Sequence, residues 1–286
     1  MILVAGGTGR LGSMLVARLA DCDLDVRVLT RDLSRAHHLQ GVATDIVVGD
    51  VRDPASLTAA LDGVGIVVSA VHGFAGPGRV TPRSVDRDGN ANLIAGAERV
   101  GASMVLLSVV GVSPESPMEL FRAKYEAEQI LRASSVEWTI VRSTAFVELW
   151  AHIMAKPIVL GRGDNPINFV SVADVAAVVE RAVIDTSWRG RTLEVGGPRN
   201  LTFNQFAGLL QGARGDHARI RHVPRSLLRA VAPFARPARA ALTMDMCDMT
   251  FAAATHRDGF ADLPFTSVET ALVRVVATPD AEAGRT

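Results

Sequence analysis

The opening segment Met1 to Gly12, MILVAGGTGRLG, leaves the backbone very few paths. Ile2 to Ala5 is an apolar run of strand length. The chain then turns through Gly6, Gly7, Thr8 and Gly9 into a stretch carrying Leu11, Leu15 and Leu19 at helical spacing. Strand, glycine turn and helix follow without a gap, and Gly7, Gly9 and Gly12 satisfy G-x-G-x-x-G in that setting. Such glycines permit backbone angles that a Cβ forbids, let the main chain approach a diphosphate, and let the helix close on the strand. The helix N-terminus offers unpaired N–H groups and the positive end of its dipole. A dinucleotide is therefore the expected ligand, held along Gly6, Thr8, Gly9, Arg10 and Leu11.

The alternation continues downstream. Asp25 to Leu29, Ile46 to Val48, Ile66 to Ala70, Met104 to Val109, Trp138 to Val141 and Thr192 to Val195 read as further strands, with Phe169 to Val172 as an additional short one. Between them lie helix-length segments. One is opened by Asp53 as N-cap with Pro54 at the first helical position, and another runs from Met118 to Ala133. Ser171 with Asp174, and Thr202 with Gln205, have capping-box spacing ahead of two more helices. This order predicts an α/β fold with a parallel sheet and right-handed crossovers. Ligands bind such sheets at the carboxyl edge, so the Gly- and Pro-rich loop His72 to Pro82 is placed there.

The 286 residues suffice for one large α/β domain or for a nucleotide domain with an appendage. Acidic and basic residues balance at zero formal charge and are mixed along the chain, which argues against nucleic-acid binding. The longest apolar run, Met104 to Val112, is broken by Ser108 and falls short of the roughly 20 residues of a membrane span. With the first strand starting at Ile2, no room is left for a signal peptide, and a cytoplasmic location is expected. Cys22 and Cys247 stand alone as small buried or half-buried side chains, without metal-ligand spacing, so no metal is expected. Past Ala213 the character changes. Leu227, Leu228, Val231 and Phe234 form an apolar stripe among prolines and arginines, followed by Met244, Met246 and Met249. Such a stripe suits a membrane surface or a partner helix. The preferred reading is a small helical lobe that buries these side chains and covers a substrate pocket. The expected organisation is a nucleotide domain over residues 1–146 and 167–200, a substrate-covering lobe over 147–166 and 201–277, and a frayed tail over 278–286.

A carboxylate at the end of the second strand holds the ribose 2′-hydroxyl of NAD, whereas an arginine there accommodates the 2′-phosphate of NADP. Here the strand ends in Leu29, Thr30 and Arg31, with Arg35 further on, which favours NADP(H) over NAD(H). Asp32 is the counter-argument, since a turn one residue longer would present it to the ribose. Asp50, in Val48-Gly49-Asp50-Val51, is placed either to accept from an adenine amino group, with Val51 packed near the ring, or as a turn residue beside the Asp53 cap. Ala70 and Val71, where the fourth strand ends, complete this side of the site.

GGTGRLG, Gly49-Asp50, Leu106-Leu107-Ser108, Ala123-Lys124-Tyr125-Glu126-Ala127-Glu128, Trp138-Thr139-Ile140-Val141-Arg142, Phe169-Val170-Ser171-Val172-Ala173-Asp174-Val175-Ala176 and Leu193-Glu194-Val195-Gly196-Gly197-Pro198 occur in that order. Together they resemble the atypical short-chain dehydrogenase/reductase superfamily, specifically its NmrA-like NAD(P)-binding group, over roughly Met1 to Leu210. The resemblance implies a doubly wound Rossmann sheet of order 3-2-1-4-5-6-7, NAD(P) across its carboxyl edge, and a variable C-terminal lobe. It also implies a serine, tyrosine and lysine at the chemistry, with the tyrosine four residues before the lysine. Ser108 matches the serine and Lys124 the lysine, but Leu120 stands where the tyrosine belongs. The only tyrosine, Tyr125, is rotated by about 100° from Lys124 on a helix.

Lys124 is one of two lysines among twenty-eight arginines, which marks it for a role that needs an ammonium. The plainer alternative is a surface pair with Glu128 at i, i+4. His72 and His152 fall near the ligand edge as candidate acids. Arg142, Ser143, Thr144 and Phe146 follow the sixth strand, where the resemblance places residues beside nicotinamide and substrate. The leading expectation is an NADPH-dependent reductase of a small apolar carbonyl, enone or quinone, a monomer or homodimer, with Lys124 orienting the cofactor and Ser108 polarising the substrate. The competing one is a non-catalytic NADP(H) sensor. A nucleotide-sugar epimerase is weakest, because that chemistry leans on the missing tyrosine.

Overall fold

A computed structural model describes residues 1–74, 80–252, 260 and 262–277. Its elements, in chain order, are β1 (Ile2–Ala5), α1 (Arg10–Asp21), β2 (Val26–Thr30), β3 (Asp45–Val48), α2 (Leu57–Leu61), β4 (Ile66–Ser69), α3 (Asp88–Val100), β5 (Ser103–Val109), α4 (Glu119–Ala133), β6 (Trp138–Ser143), β7 (Ala145–Phe146), α5 (Val147–Ile153), β8 (Ile158–Leu160), β9 (Pro166–Val170), α6 (Val172–Ile184), β10 (Thr192–Val195), β11 (Asn200–Thr202), α7 (Phe203–Arg214), β12 (Arg221–Val223), α8 (Arg225–Val231), α9 (Arg236–Met246) and α10 (Val268–Ala277). A π-helical turn, Arg83–Arg87, runs straight into α3.

The chain divides into two compact units, Met1–Arg142 with Val175–Glu194, and Ser143–Asp174 with Val195–Ala281. The first is built on a seven-stranded doubly wound sheet of order β3-β2-β1-β4-β5-β6-β10. The seventh strand of the expected order is thus Thr192–Val195. All four β1 side chains are buried, as a parallel strand covered on both faces requires. Leu3 and Ala5 join a core with Leu57, Leu61, Leu93, Leu106 and Leu131. The period of two turns Ile2 and Val4 to the opposite face, where α1 buries Leu15, Val16 and Leu19. Because β1 pairs in parallel with both β2 and β4, with Ala5 opposite Leu29 and Ser69, the turns that follow these strands share one edge.

In the second unit, β9 lies between β7 and β11 in a separate small sheet, so the short strand expected near Phe169 belongs there rather than to the main sheet. Its core gathers Phe169, Phe203 and Phe206, the first stacked on the third with centroids 4.6 Å apart. The Thr202–Gln205 capping box is complete, each side chain reaching the other residue's backbone N–H.

The expectation that the C-terminal stripe is buried needs correction. Leu228, packed with Ala238 and Ala241, and Met244 are buried, while Leu227, Val231, Phe234 and Met246 are exposed and Met249 is half-buried. The reason is geometric: α8 and α9 are short, and Leu228 with two alanines already fills the space between them. Cys22 is likewise exposed rather than buried. The tail 278–286 and part of the His72–Pro82 loop lie outside the described residues. Among the described residues no helix is long and apolar enough to cross a membrane. Among the described residues no cluster of His, Cys, Asp or Glu could hold a metal.

Candidate cofactor and catalytic site

The glycine turn works much as its sequence implies, with one reassignment. The backbone angle that a side chain would resist belongs to Gly6, at φ +85°, which lies outside the triplet, and a Cβ there would sit 2.7 Å from the Ala70 carbonyl oxygen. Gly12 permits the close approach of helix and turn, since its Cβ would come within 2.1 Å of Gly6 O. Gly9 is the N-cap of α1 and no side chain caps that helix, nor does its first turn hold an acid. A Cβ at Gly9 would meet only Gly6 O, at 3.3 Å, so the remaining space beside it is open. Thr8 and Arg10 are half-buried at this end and Leu11 points into the core.

At the end of β2, Thr30 is buried, and its hydroxyl donates to Asp32 O at 2.9 Å. Asp32 caps the 3-10 turn that follows, accepting from Ser34 N at 2.9 Å, and its bonds to Ser34 hold its carboxyl below the usual range. Arg31 is exposed, and among the described residues it makes no hydrogen bond or ion pair. Its charge reaches Asp50 and His72. Asp50 grips Arg52 through both carboxylate oxygens, with Nη2 to Oδ2 at 2.6 Å, and this bond holds its pKa down. Asp53 accepts from Ala55 N ahead of α2, as expected, and the buried Val51 accepts from Asn92 Nδ2 at 2.8 Å through its carbonyl.

Beyond β4, Ala70 N donates to Ala5 O, and Val71 turns its carbonyl to Lys124. Lys124 is 4% exposed. Its ammonium donates to Val71 O at 3.0 Å and to Leu107 O at 2.9 Å, and pairs with Asp86 Oδ1 at 3.2 Å. The surface pair with Glu128 does not exist. Glu128 is itself fully buried and accepts two bonds from Arg142, at 2.9 and 2.7 Å, with Arg132 close by. Asp86, fully buried on the π-turn, accepts from Gly73 N at 2.7 Å through its other oxygen. Asn90, one turn on, donates to Asp86 O and accepts from Ser69 Oγ at 2.5 Å. Neither residue was singled out in the sequence. The usable signal was Asp86 and Asn90 at i, i+4, a spacing that puts two polar groups on one helical face.

Ser108, next to the Leu107 carbonyl that receives Lys124, is 3% exposed, and its hydroxyl has no hydrogen-bond partner among the described residues. The His72 side chain is exposed, yet the protein around it still shields it partly from water. That partial desolvation pushes its imidazole below the ordinary value, Asp86 opposes the shift, and Lys124 and Arg31 add to it. Leu120 and Tyr125 are both half-buried, and His152 is exposed on α5.

Thr144 and Phe146 belong to the second unit. Thr144 Oγ1 donates to Asn168 Oδ1 at 2.8 Å, and Phe146 pairs with Val170 and caps α5. Arg142 is committed to Glu128 and Glu194 and has an architectural role.

A profile of an NAD(P)H-binding family matches residues 6–186. The chain belongs to this family. It is 30% identical over 226 residues to an NAD(P)H azoreductase of Xenophilus azovorans, covering 77% of this chain and 76% of that one. It is 31% identical over 242 residues to a photosystem II assembly factor of Synechocystis, covering 82% and 74%. The NADPH complex of an Escherichia coli quinone oxidoreductase superposes with a TM-score of 0.77 at 20% identity, over 96% of this chain and 99% of that one, which shows the fold. The uncapped α1 terminus and the open side of Gly9 fit the diphosphate of the NAD(P) that this family binds.

Proposed function

We propose that this protein is an NADPH-dependent reductase of a small, largely apolar carbonyl, enone or quinone. The observation that carries the reading is the buried Ser108 hydroxyl without a partner, because a buried donor left unpaired is costly and a substrate oxygen would satisfy it. The bound nicotinamide supplies the hydride. Gly9 and the first amides of α1 receive the diphosphate, and the exposed Arg31 receives the 2′-phosphate, with Thr30 holding the turn beside it through Asp32. The engagement of Asp32 as a cap supports that choice. Lys124 donates to the carbonyls of Val71 and Leu107 and is ion-paired with Asp86, so its task is to fix the two strand ends beside Ser108. Desolvation lowers the His72 imidazole, so its protonated form is scarcer at a given pH than that of a free histidine, which favours solvent over His72 as the proton source.

A sensor that binds NADP(H) without turnover is favoured by one observation, the leucine at position 120 where the family's proton donor stands. Titration with NADPH and NADP+, followed by absorbance of reduced nicotinamide with a panel of quinones, enones and carbonyls, separates the two. The reductase oxidises NADPH, and Ser108→Ala loses turnover while still binding it. Tight binding with no oxidation across the panel overturns the reductase reading. Arg31→Asp is expected to reverse the preference for NADPH over NADH, and an unchanged preference removes Arg31 from the site.

A further inference from the structure

We propose that the α8–α9 hairpin is a docking surface for an anionic lipid bilayer. From His217 to Met244 the chain carries six arginines and no carboxylate, in a protein whose formal charge is zero. Arg225 is turned inward, with Nε 2.5 Å from Asp245 Oδ2, and Asp245 also accepts from the backbone of Arg162 and Gly163. That clamp anchors the base of the hairpin. Arg219, Arg221, Arg229, Arg236 and Arg239 are exposed.

The apolar side chains follow the same division. Leu228, Ala238 and Ala241 pack between the helices, whereas Leu227 and Val231 on α8 and Phe234 in the turn face solvent, Phe234 at 89% exposure. A phenylalanine this exposed, in the turn between two short helices, presents a projecting apolar tip. It suits insertion into a deformable apolar phase better than a partner's side chain. Arg229 on α8 and Arg236 and Arg239 on α9 supply the attraction to phosphate headgroups, while the apolar tip enters the boundary between headgroups and acyl chains. Leu227, Val231 and Phe234 carry no hydrogen-bonding group that could read a base or a peptide.

The test is flotation of the full-length protein with vesicles of phosphatidylcholine containing phosphatidylglycerol, against vesicles of phosphatidylcholine alone. Binding is expected to the anionic vesicles only and to fade as salt rises from about 0.05 M to about 0.5 M. Arg229→Glu with Arg239→Glu is expected to reduce partitioning by roughly thirtyfold or more. Leu227→Ser with Phe234→Ser lowers it without abolishing the salt dependence, and unchanged thermal melts show that both variants fold. Equal binding to neutral vesicles, or none to either, overturns the proposal. So does a concentration-dependent dimer that Phe234→Ser dissolves, or retention on an oligonucleotide without vesicle binding. None of these readouts depends on turnover, so failure here and failure of the reductase reading are distinguishable.

Discussion

Lys124 and Glu128 stand one turn apart on α4, both are buried, and they do not pair with each other. Lys124 reaches the carbonyls that end β4 and β5 and the Asp86 carboxylate, whereas Glu128 takes Arg142 from β6 and, through it, Glu194. The i, i+4 spacing makes two charges neighbours, but the elements packed over each one decide its partner. The first network ends on Val71, whose backbone lies against the glycine turn, whereas the second ties α4 to β6 and β10. The second network is architectural, and the comparison separates a charge placed beside the proposed site from one that ties helix to sheet.

The largest expected effect breaks the first network. Lys124→Met or Asp86→Leu alone leaves the other charge buried and unpaired, and should cost about 3–5 kcal/mol in urea denaturation. The double variant should recover most of that stability but not the affinity for NADPH, and full recovery of binding would reduce the pair to packing. Glu128→Gln should cost about 3 kcal/mol and leave the NADPH dissociation constant of the folded protein unchanged. Ser108→Ala sharpens the contrast from the other side. Removing an unsatisfied hydroxyl should leave stability unchanged or raise it by about 1 kcal/mol while turnover falls.

The smallest effect concerns His72. Its titration by NMR should lie below the ordinary value of about 6.5, and Asp86→Asn should lower it further, because that carboxylate is what opposes the shift. The unfolded chain then takes up the proton first. Stability is therefore present above the ordinary value and declines as pH falls through the folded one, a decline that His72→Asn should remove.

Much of the main sheet could be read directly, because buried parallel strands leave apolar runs: β1, β4, β5, β6 and β10 lie within a residue or two of their expected limits. The capping box at Thr202 was legible because its partners are three residues apart. Asp86 was not, since its partner Lys124 lies far along the chain and the run Arg83-Ser84-Val85-Asp86-Arg87-Asp88 looks like a solvated face. The two- and three-residue strands β7, β11 and β12 carry no periodicity to detect. Leu227, Val231 and Phe234 misled for the opposite reason. Apolar spacing predicts burial only where another surface arrives to cover it.

The π-turn at Arg83–Arg87 carries a further consequence. A wider turn takes in an extra residue, and each residue of helix rotates the next by about 100°. Deleting one position there would swing Asp86 and Asn90 away from the interior together, whereas exchanging the exposed Arg83 would disturb neither. In this stretch the number of residues is under tighter constraint than their identity, and related chains should differ there by substitution and not by length.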